Sequence, residues 1–245
     1  GQLVLDADKT INVTIQATDA AGNVGNVTAD AAYTVDITTP VVVINPIAGD
    51  NVLNAAEAGV NQTISGSVVG SFTVGDQVTV NVNGTDYTTT LDNNGNWSIE
   101  VTGAELTLDA DKTINVTVNV TGVGTVTADH TYTVDTTAPD NSTTTITINP
   151  VAGDNILDST EAGTDQTISG SVTGEYKVGD VVIVNVNGVD ITTTVQTGGV
   201  WSITVDGGQL ALDADKTINV TIQATDAAGN VGNVTADLTY TVDIT

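Results

Sequence analysis

Along most of the chain apolar residues alternate with Thr, Asn and Ser at a period of two. Val78, Val80 and Val82 fall on one side of one such run, and Ile114, Val116, Val118 and Val120 on one side of another. A period of two lines one face of a β-strand, so each run predicts a strand with one buried and one wet face. Further strands are predicted at Ile64–Val68, at Tyr87–Leu91, through Trp97, Ile99 and Val101, and through Tyr132 and Val134; Ile146–Ile148 begins the next set. Turn chemistry separates them. Asn83-Gly84 is a hairpin signal between two runs, and Asn93-Asn94-Gly95 a second turn. No helical period is apparent, and Trp97 and Trp201 read as core.

The pattern repeats. DKTINVTIQATDAAGNVGNVTAD at Asp8–Asp30 recurs unchanged at Asp215–Asp237, and a shorter variant begins at Asp111. Lys9 and Lys112 are 103 positions apart, and Lys112 and Lys216 are 104 apart. INPIAGDN at Ile44 returns as INPVAGDN at Ile148, and NGNWSI at Asn94 as GGVWSI at Gly198. A period near 104 is a domain rather than a solenoid turn. The frame predicts the C-terminal part of one repeat at 1–37, a complete repeat at 38–138 and another at 139–245. About seven short strands per repeat predict an all-β chain of tandem immunoglobulin-like antiparallel β-sandwich domains in a linear array. Thr38–Pro40 and Thr136–Pro139 mark the joints, where proline restricts the backbone. From the joint aspartate to the next INP isoleucine is 8 positions at the first joint and 13 at the second. The added stretch around Asp140–Thr144 is either a flexible tether or extra first strand that carries Asp140 towards a metal.

Composition narrows the function. Val, Ile and Thr dominate, with one Phe, no Met and no Cys, so disulfides and thiolate metal sites are impossible. The chain starts at Gly1 without a leader pattern or a spanning apolar run, and reads as an internal piece of something longer. Thirty acids face four lysines and no arginine, a formal charge of −26. Such a surface disfavours nucleic acid and direct membrane insertion.

The positions of the acids suggest what they do. An up-and-down strand path puts the loops Ala48–Gly59, Leu108–Thr113 and Val134–Pro139 at one pole, called upper here, and the turn Thr225–Asn230 at the lower pole. The upper pole of one repeat and the lower pole of the next meet at each joint. Asp50, Glu57, Asp109, Asp111 and Asp135 are thereby predicted to converge, with Asp154, Glu161, Asp213, Asp215 and Asp243 one repeat later, and Asp6, Asp8 and Asp36 at the first joint. Asp226 faces the second joint from below. Two carboxylates about 5 Å apart repel by roughly 3 kcal/mol at an effective dielectric near 20. A hard divalent cation removes that cost, and calcium, with six to eight oxygen ligands, fits better than magnesium or zinc. The plainer reading is that each Asp caps a local turn through its side chain.

TDAAGNVG, VDTTAP, INPVAGDN…EAG and NGNWSI, in this order and at this period, resemble the extender (bacterial Ig-like) repeats of giant RTX adhesins of Gram-negative bacteria. The resemblance covers essentially the whole chain. It implies many tandem copies, type I secretion to the cell surface, calcium-rigidified joints, and distal adhesive modules that serve adhesion or biofilm formation. The second repeat departs from the pattern, with TGVGTV at Thr121–Val126 in place of TDAAGN.

No catalytic constellation is present: the chain has no Cys or Arg, a single His at 130, and no nucleophile elbow or phosphate loop. Paired carboxylates can cleave glycosides, but here they sit in repeated joints rather than in one cleft. The expected role is a calcium-stiffened spacer and not an enzyme. The alternatives are a module whose loops bind glycan or host protein, with Phe72 and Tyr176 sharing a loop position, or a surface-layer or fibre subunit.

Overall fold

The computed structural model describes residues 3, 6–35 and 38–245. The first segment contributes an antiparallel hairpin, β1 (Thr10–Thr18) and β2 (Val24–Ala32). The second repeat contains β3 (Val41–Ile44), β4 (Val52–Leu53), β5 (Asn61–Val69), β6 (Gln77–Val82) and β7 (Thr85–Thr90). It continues with β8 (Asn96–Thr102), β9 (Thr113–Val120), β10 (Gly124–Thr131) and β11 (Thr133–Val134). The third repeats the order: β12 (Thr144–Ile148), β13 (Ile156–Asp158), β14 (Asp165–Gly174), β15 (Val181–Val186) and β16 (Val189–Thr194). It closes with β17 (Val200–Asp206), β18 (Thr217–Thr225), β19 (Val231–Thr239) and β20 (Thr241–Asp243).

Each complete repeat has a three-stranded sheet, β3-β5-β8 or β12-β14-β17, and a four-stranded one, β10-β9-β6-β7 or β19-β18-β15-β16. The exit strand pairs in parallel with a short internal strand, β11 with β4 and β20 with β13. In the third repeat the two sheets share one core, with Ile146, Ile168, Val172 and Trp201 on one side and Val182, Val184, Ile218, Val220 and Ile222 on the other. The alternating residues are buried as the period of two predicts: Val78, Val80 and Val82 are inaccessible in the second repeat.

Local chemistry sets the turns. Asn83 and Gly84 both take positive φ, 49° and 78°, the backbone that a two-residue primed hairpin turn requires. Gly66 and Gly170 meet a different demand. A Cβ at Gly66 would lie 2.1 Å from the Val43 carbonyl and 2.5 Å from the Trp97 ring, so the tryptophan packs against bare backbone. Gly170 stands in the same relation to Thr147 and Trp201.

The segments predicted as plain loops are partly ordered. Ala48–Gly59 contains β4 and the helix α1 (Ala55–Ala58), and further helices occur at α2 (Gly103–Leu108) and α3 (Gly207–Leu212). Four or six residues make less than two turns, too few for a helical period to show in sequence. β10, absent from the predicted strands, pairs with β9 along its length. Phe72 and Tyr176 are half-buried, each against the glycine of a turn, Gly95 and Gly199, and not an exposed aromatic platform.

Residues 140–144 are neither a loose tether nor wholly strand. Asp140 caps a turn: its carboxylate accepts from the Ser142 hydroxyl, the largest cause, and from the Ser142 and Thr143 amides, and these bonds hold it below the usual range. The Asn141 side chain imitates a strand residue: its Nδ2 donates to the Thr235 carbonyl and its Oδ1 accepts from the Thr235 N–H, both at 3.0 Å. Thr144 is buried and opens β12.

The chain forms two compact units that do not follow the repeat frame. One comprises Gly1–Asn45, Thr63–Glu100 and Thr113–Thr131, and the other Pro46–Gln62, Val101–Lys112 and Tyr132–Thr245. The upper-pole segments of the second repeat thus belong to the same unit as the whole third repeat.

Candidate metal centres and the joint between the second and third repeats

Each described acid predicted as a ligand has a place in the local structure. Asp50 and Asp154 accept from the amides of Val52 and Ile156, both at 2.9 Å. Asp8 and Asp215 accept from Thr10 and Thr217 at 3.1 Å. Asp135 accepts from Thr137 at 3.1 Å, and Asp243 from the Thr245 hydroxyl at 2.9 Å. Glu57 closes a capping box on the Asn54 amide at 3.0 Å, and Glu161 bonds the Asp158 amide at the same distance. Asp111 is exposed in the turn after α2. Asp36 lies outside the described residues.

The DADK turns hold a second arrangement. Asp109 and Asp213 are buried and accept from the hydroxyls of Tyr132 and Tyr240 at 3.1 Å. The single proton of each hydroxyl is shared with a helix carbonyl, that of Leu106 or Leu210, at 2.8 Å. Burial first, and then the adjacent aspartate, push both phenols well above their ordinary range. Asp6 pairs with Tyr33 at 2.8 Å; that hydrogen bond is the main cause holding Asp6 below the usual range, while burial and then Asp6 raise Tyr33 to about 12. Lys112 donates to the carbonyls of Thr107 and Asp109, and Lys216 to those of Ala211 and Asp213. An ammonium at the end of a short helix satisfies carbonyls left unpaired there. Lys112 and Lys216, two of the three lysines that mark the period, are therefore helix caps.

Among the described residues no three His, Asp or Glu side chains are gathered closely enough to hold an ion on their own. The structure does tie two of the predicted ligands together, through a residue that the strand pattern did not single out. Asp226 is buried in the Thr225–Asn230 turn and accepts from both the amide and the side chain of Asn230 at 2.8 Å. The same Asn230 Nδ2 donates to the Asp135 carbonyl at 2.8 Å, and Asn230 Oδ1 accepts from the Ala55 amide at 2.8 Å. Asn54 Nδ2 donates to the Ala228 carbonyl at 3.2 Å. These contacts ring a cleft of about 250 Å³ that Ala138, Gly229 and Val231 also line. The lower-pole turn of the third repeat thus sits on the upper pole of the second, as the strand path predicted.

Two further acids were missed. Asp76 and Asp180 are buried and bind the threonine just after β9 or at the end of β18. Asp76 accepts from the Thr73 amide at 2.8 Å and the Thr121 hydroxyl at 2.5 Å; Asp180 accepts from the Thr225 hydroxyl at 2.7 Å. Burial pushes Asp76 up, but these bonds outweigh it and leave its carboxyl below the usual range. The signal was the tripeptide Val-Gly-Asp, which recurs at 74–76 and 178–180.

No protein-family model matches the chain, and neither does any curated protein. Solved structures do. The chain is similar to part of a 1.5-MDa bacterial ice-binding adhesin studied for host cell surface retention. The two are 32% identical over 99% of this chain and 77% of that one, with a TM-score of 0.74. It is also similar to a Ca²⁺-stabilised adhesin that helps an Antarctic bacterium reach out and bind ice. Here identity is 36% over 98% of this chain and 58% of that one, with a TM-score of 0.67. A bacterial immunoglobulin-like domain of the M. primoryensis ice-binding adhesin is 37% identical over 40% of this chain and 96% of that one, with a TM-score of 0.38. By its period, its paired sheets and the first two of these similarities, the chain belongs to the family of tandem immunoglobulin-like extender repeats of giant bacterial adhesins.

Proposed function

We propose that this chain is a calcium-rigidified spacer in a large surface adhesin, projecting distal binding modules away from the cell for adhesion or biofilm formation. Its working unit is the repeat of about a hundred residues framed at 38–138 and 139–245, with 1–37 the end of a preceding one. Its role is mechanical and not enzymatic: neighbouring repeats of the same chain are its first partners, and the site of action is the cell surface after type I secretion. The observation that carries this reading is the joint, where Asn230, Asp226, Asp135 and Asn54 hold successive repeats by direct bonds. A tether with no load to transmit has no need of such contacts.

Calcium is supported by donor chemistry. The upper poles supply only hard oxygens. Asp50 and Asp135 each commit one carboxylate oxygen to a backbone amide, and both residues are exposed. Calcium takes carboxylates together with Asn and backbone carbonyls, so a site of two acids completed by carbonyls does not require three clustered acids. Asp50, Glu57, Asp109, Asp111 and Asp135 would hold it in the second repeat, with Asp226 contributing from below. Asp154, Glu161, Asp213, Asp215 and Asp243 would do so in the third, and Asp6, Asp8 and Asp36 at the first joint. There the ion would supply positive charge against a formal −26.

The test is small-angle scattering and thermal melting of the full chain with calcium and with chelator, alongside calorimetric titration. An ion at a hundredfold excess over its Kd adds about 2.7 kcal/mol to the folded state. Chelation is expected to lower the melting temperature and broaden the distribution of maximum dimension. No calcium uptake at millimolar concentration, with neither property changed, would overturn the calcium reading.

A further inference from the structure

A groove of about 410 Å³ opens in the second repeat where the end of β7 and the start of β8 come beside β5. No acid assigned to a joint lines it. Asn45, Ser65, Asp92, Asn96 and Ser98 line it with amides, hydroxyls and one carboxylate, and Asp92 is its only charged residue among the described residues. Trp97 lines it too but is 3% exposed, so it offers no face on which a ring could stack. Local bonds hold these groups in place. Asp92 Oδ1 accepts from the Asn94 and Asn96 amides, both at 2.8 Å, and closes the turn into β8. Those bonds, that of Asn96 first, hold its carboxyl below the usual range, so it is ionised in neutral solution. Asn96 Nδ2 reaches Asp92 Oδ2 only at 3.4 Å. That is near the limit of a hydrogen bond, and it leaves a carboxylate acceptor and an amide donor side by side with capacity to spare. On the β5 side Asn45 Nδ2 donates to Ser65 Oγ at 2.9 Å, so the serine accepts there and keeps its own proton to donate.

The third repeat keeps the scaffold of this groove and loses its chemistry. Asn149 bonds Ser169 at 3.0 Å, as Asn45 bonds Ser65, and Trp201 and Ser202 stand for Trp97 and Ser98. Every lining residue has an identical counterpart 104 positions on, except two. Gln196 stands for Asp92, and its side-chain amide folds back on Thr194, donating to the hydroxyl at 2.9 Å and the carbonyl at 3.1 Å. Val200 stands for Asn96 and is 51% exposed. The turn itself is the same, since the Gln196 N–H donates to the Val200 carbonyl as the Asp92 N–H does to that of Asn96. The fold therefore does not need Asp92 and Asn96. They give the second repeat an acceptor and a donor that its scaffold does not require.

We propose that this groove binds a neutral sugar, with Asp92 and Asn96 taking two adjacent hydroxyls. A hydroxyl both donates and accepts, so neighbouring hydroxyls on a ring can give a proton to Asp92 Oδ2 and take one from Asn96 Nδ2. Ser65 and Ser98 are placed for the remaining hydroxyls. A carboxylate in a groove that no lysine or histidine lines repels anions, which excludes phosphates and acidic sugars. The polar lining and the buried tryptophan leave an apolar ligand without a surface. Hydrogen bonds without stacking make each site weak, with a Kd on the order of millimolar, and sites repeated along an array act together. The site is separate from the joints and stands or falls independently of the spacer reading.

Nuclear magnetic resonance titration of the isotope-labelled full chain tests this. The neutral probes are the methyl glycosides of glucose, galactose and mannose, and the anionic probe is N-acetylneuraminate. At least one neutral glycoside is expected to shift the Asn96 side-chain and Ser98 amide signals, while Ser202 in the third repeat stays still. Asp92→Gln and Asn96→Val introduce the residues that the third repeat carries in the same turn, so the fold tolerates both. Each should weaken binding about tenfold or more at an unchanged melting temperature. The reverse pair, Gln196→Asp with Val200→Asn, should bring the shifts to Ser202. The proposal is overturned if no neutral glycoside shifts Ser98 at about 100 mM, a hundredfold above a millimolar Kd. It is overturned equally if Ser98 and Ser202 of the parent shift alike, if the anion binds as well as the neutral sugars, or if Asp92→Gln and Asn96→Val bind as the parent does.

Discussion

Asp8–Asp30 and Asp215–Asp237 have the same sequence and fold into the same hairpin, and the second shows what the other strands of a repeat add to it. The register is identical: Thr18 faces Val24 as Thr225 faces Val231, and Ile15 faces Val27 as Ile222 faces Val234. The turn is identical too, with an aspartate bonding the asparagine four positions on. Exposure separates them. Ile11, Val13 and Ile15 are 45%, 48% and 61% exposed, whereas Ile218, Val220 and Ile222 are at or near zero. β18 pairs with β15 on its other edge and faces the sheet that carries Trp201. Strand alternation and turn residues therefore define a hairpin locally, and a second sheet converts its apolar face into stability.

The largest expected effect exploits that contrast directly. Ile222→Ala should cost about 2–5 kcal/mol through lost burial and a cavity, whereas Val231→Ala, 61% exposed on the paired strand, should stay within about 0.5 kcal/mol. Denaturant melts of the two variants measure both, and equal losses would break the comparison.

A smaller difference is expected at the turns. Asn23 and Asn230 make the same bonds to their own aspartates, but Asn230 adds those to Ala55 and Asp135. Asn230→Ala should therefore destabilise by about 1–2 kcal/mol more than Asn23→Ala, the worth of the joint bonds and of the partners left unpaired. Hydrogen exchange at the Ala55 amide sharpens the point, because it should accelerate only in Asn230→Ala.

The smallest effect is one of pH at the first hairpin. The side chain of Asn23, followed by its amide, holds the Asp19 carboxyl below its ordinary value of 3.8. A depressed carboxyl stabilises the folded turn above the ordinary value, and that contribution disappears as pH falls through the depressed one. Carboxyl chemical shifts of Asp19 should titrate below 3.8 in the parent and move up in Asn23→Ala. An unmoved midpoint would assign the shift to another cause.

Much of this was readable in advance, for identifiable reasons. Period-two alternation marked the strands, Asn-Gly marked the primed turns, and the recurring lysines gave the period. The lower-pole position of Thr225–Asn230 also followed, because strand order fixes which loops share an end. The site was less legible. The acids are expected to converge; most of the described ones bind a nearby amide or hydroxyl, and the contact that joins two of them runs through Asn230. An amide without charge does not stand out in a chain rich in Asn, and its importance lies in a carbonyl some 95 positions away.

The sequence by itself determined the strands, the hairpin registers, the turn types and the tandem order, because these depend on side-chain period and on backbone conformations available within a few residues. Only the tertiary structure decided that Lys112 and Lys216 cap helices, and that Asn54 and Asn230 hold a joint. Burial and bonds between distant segments depend on what the fold brings alongside, and identical local sequences carry no record of their neighbours.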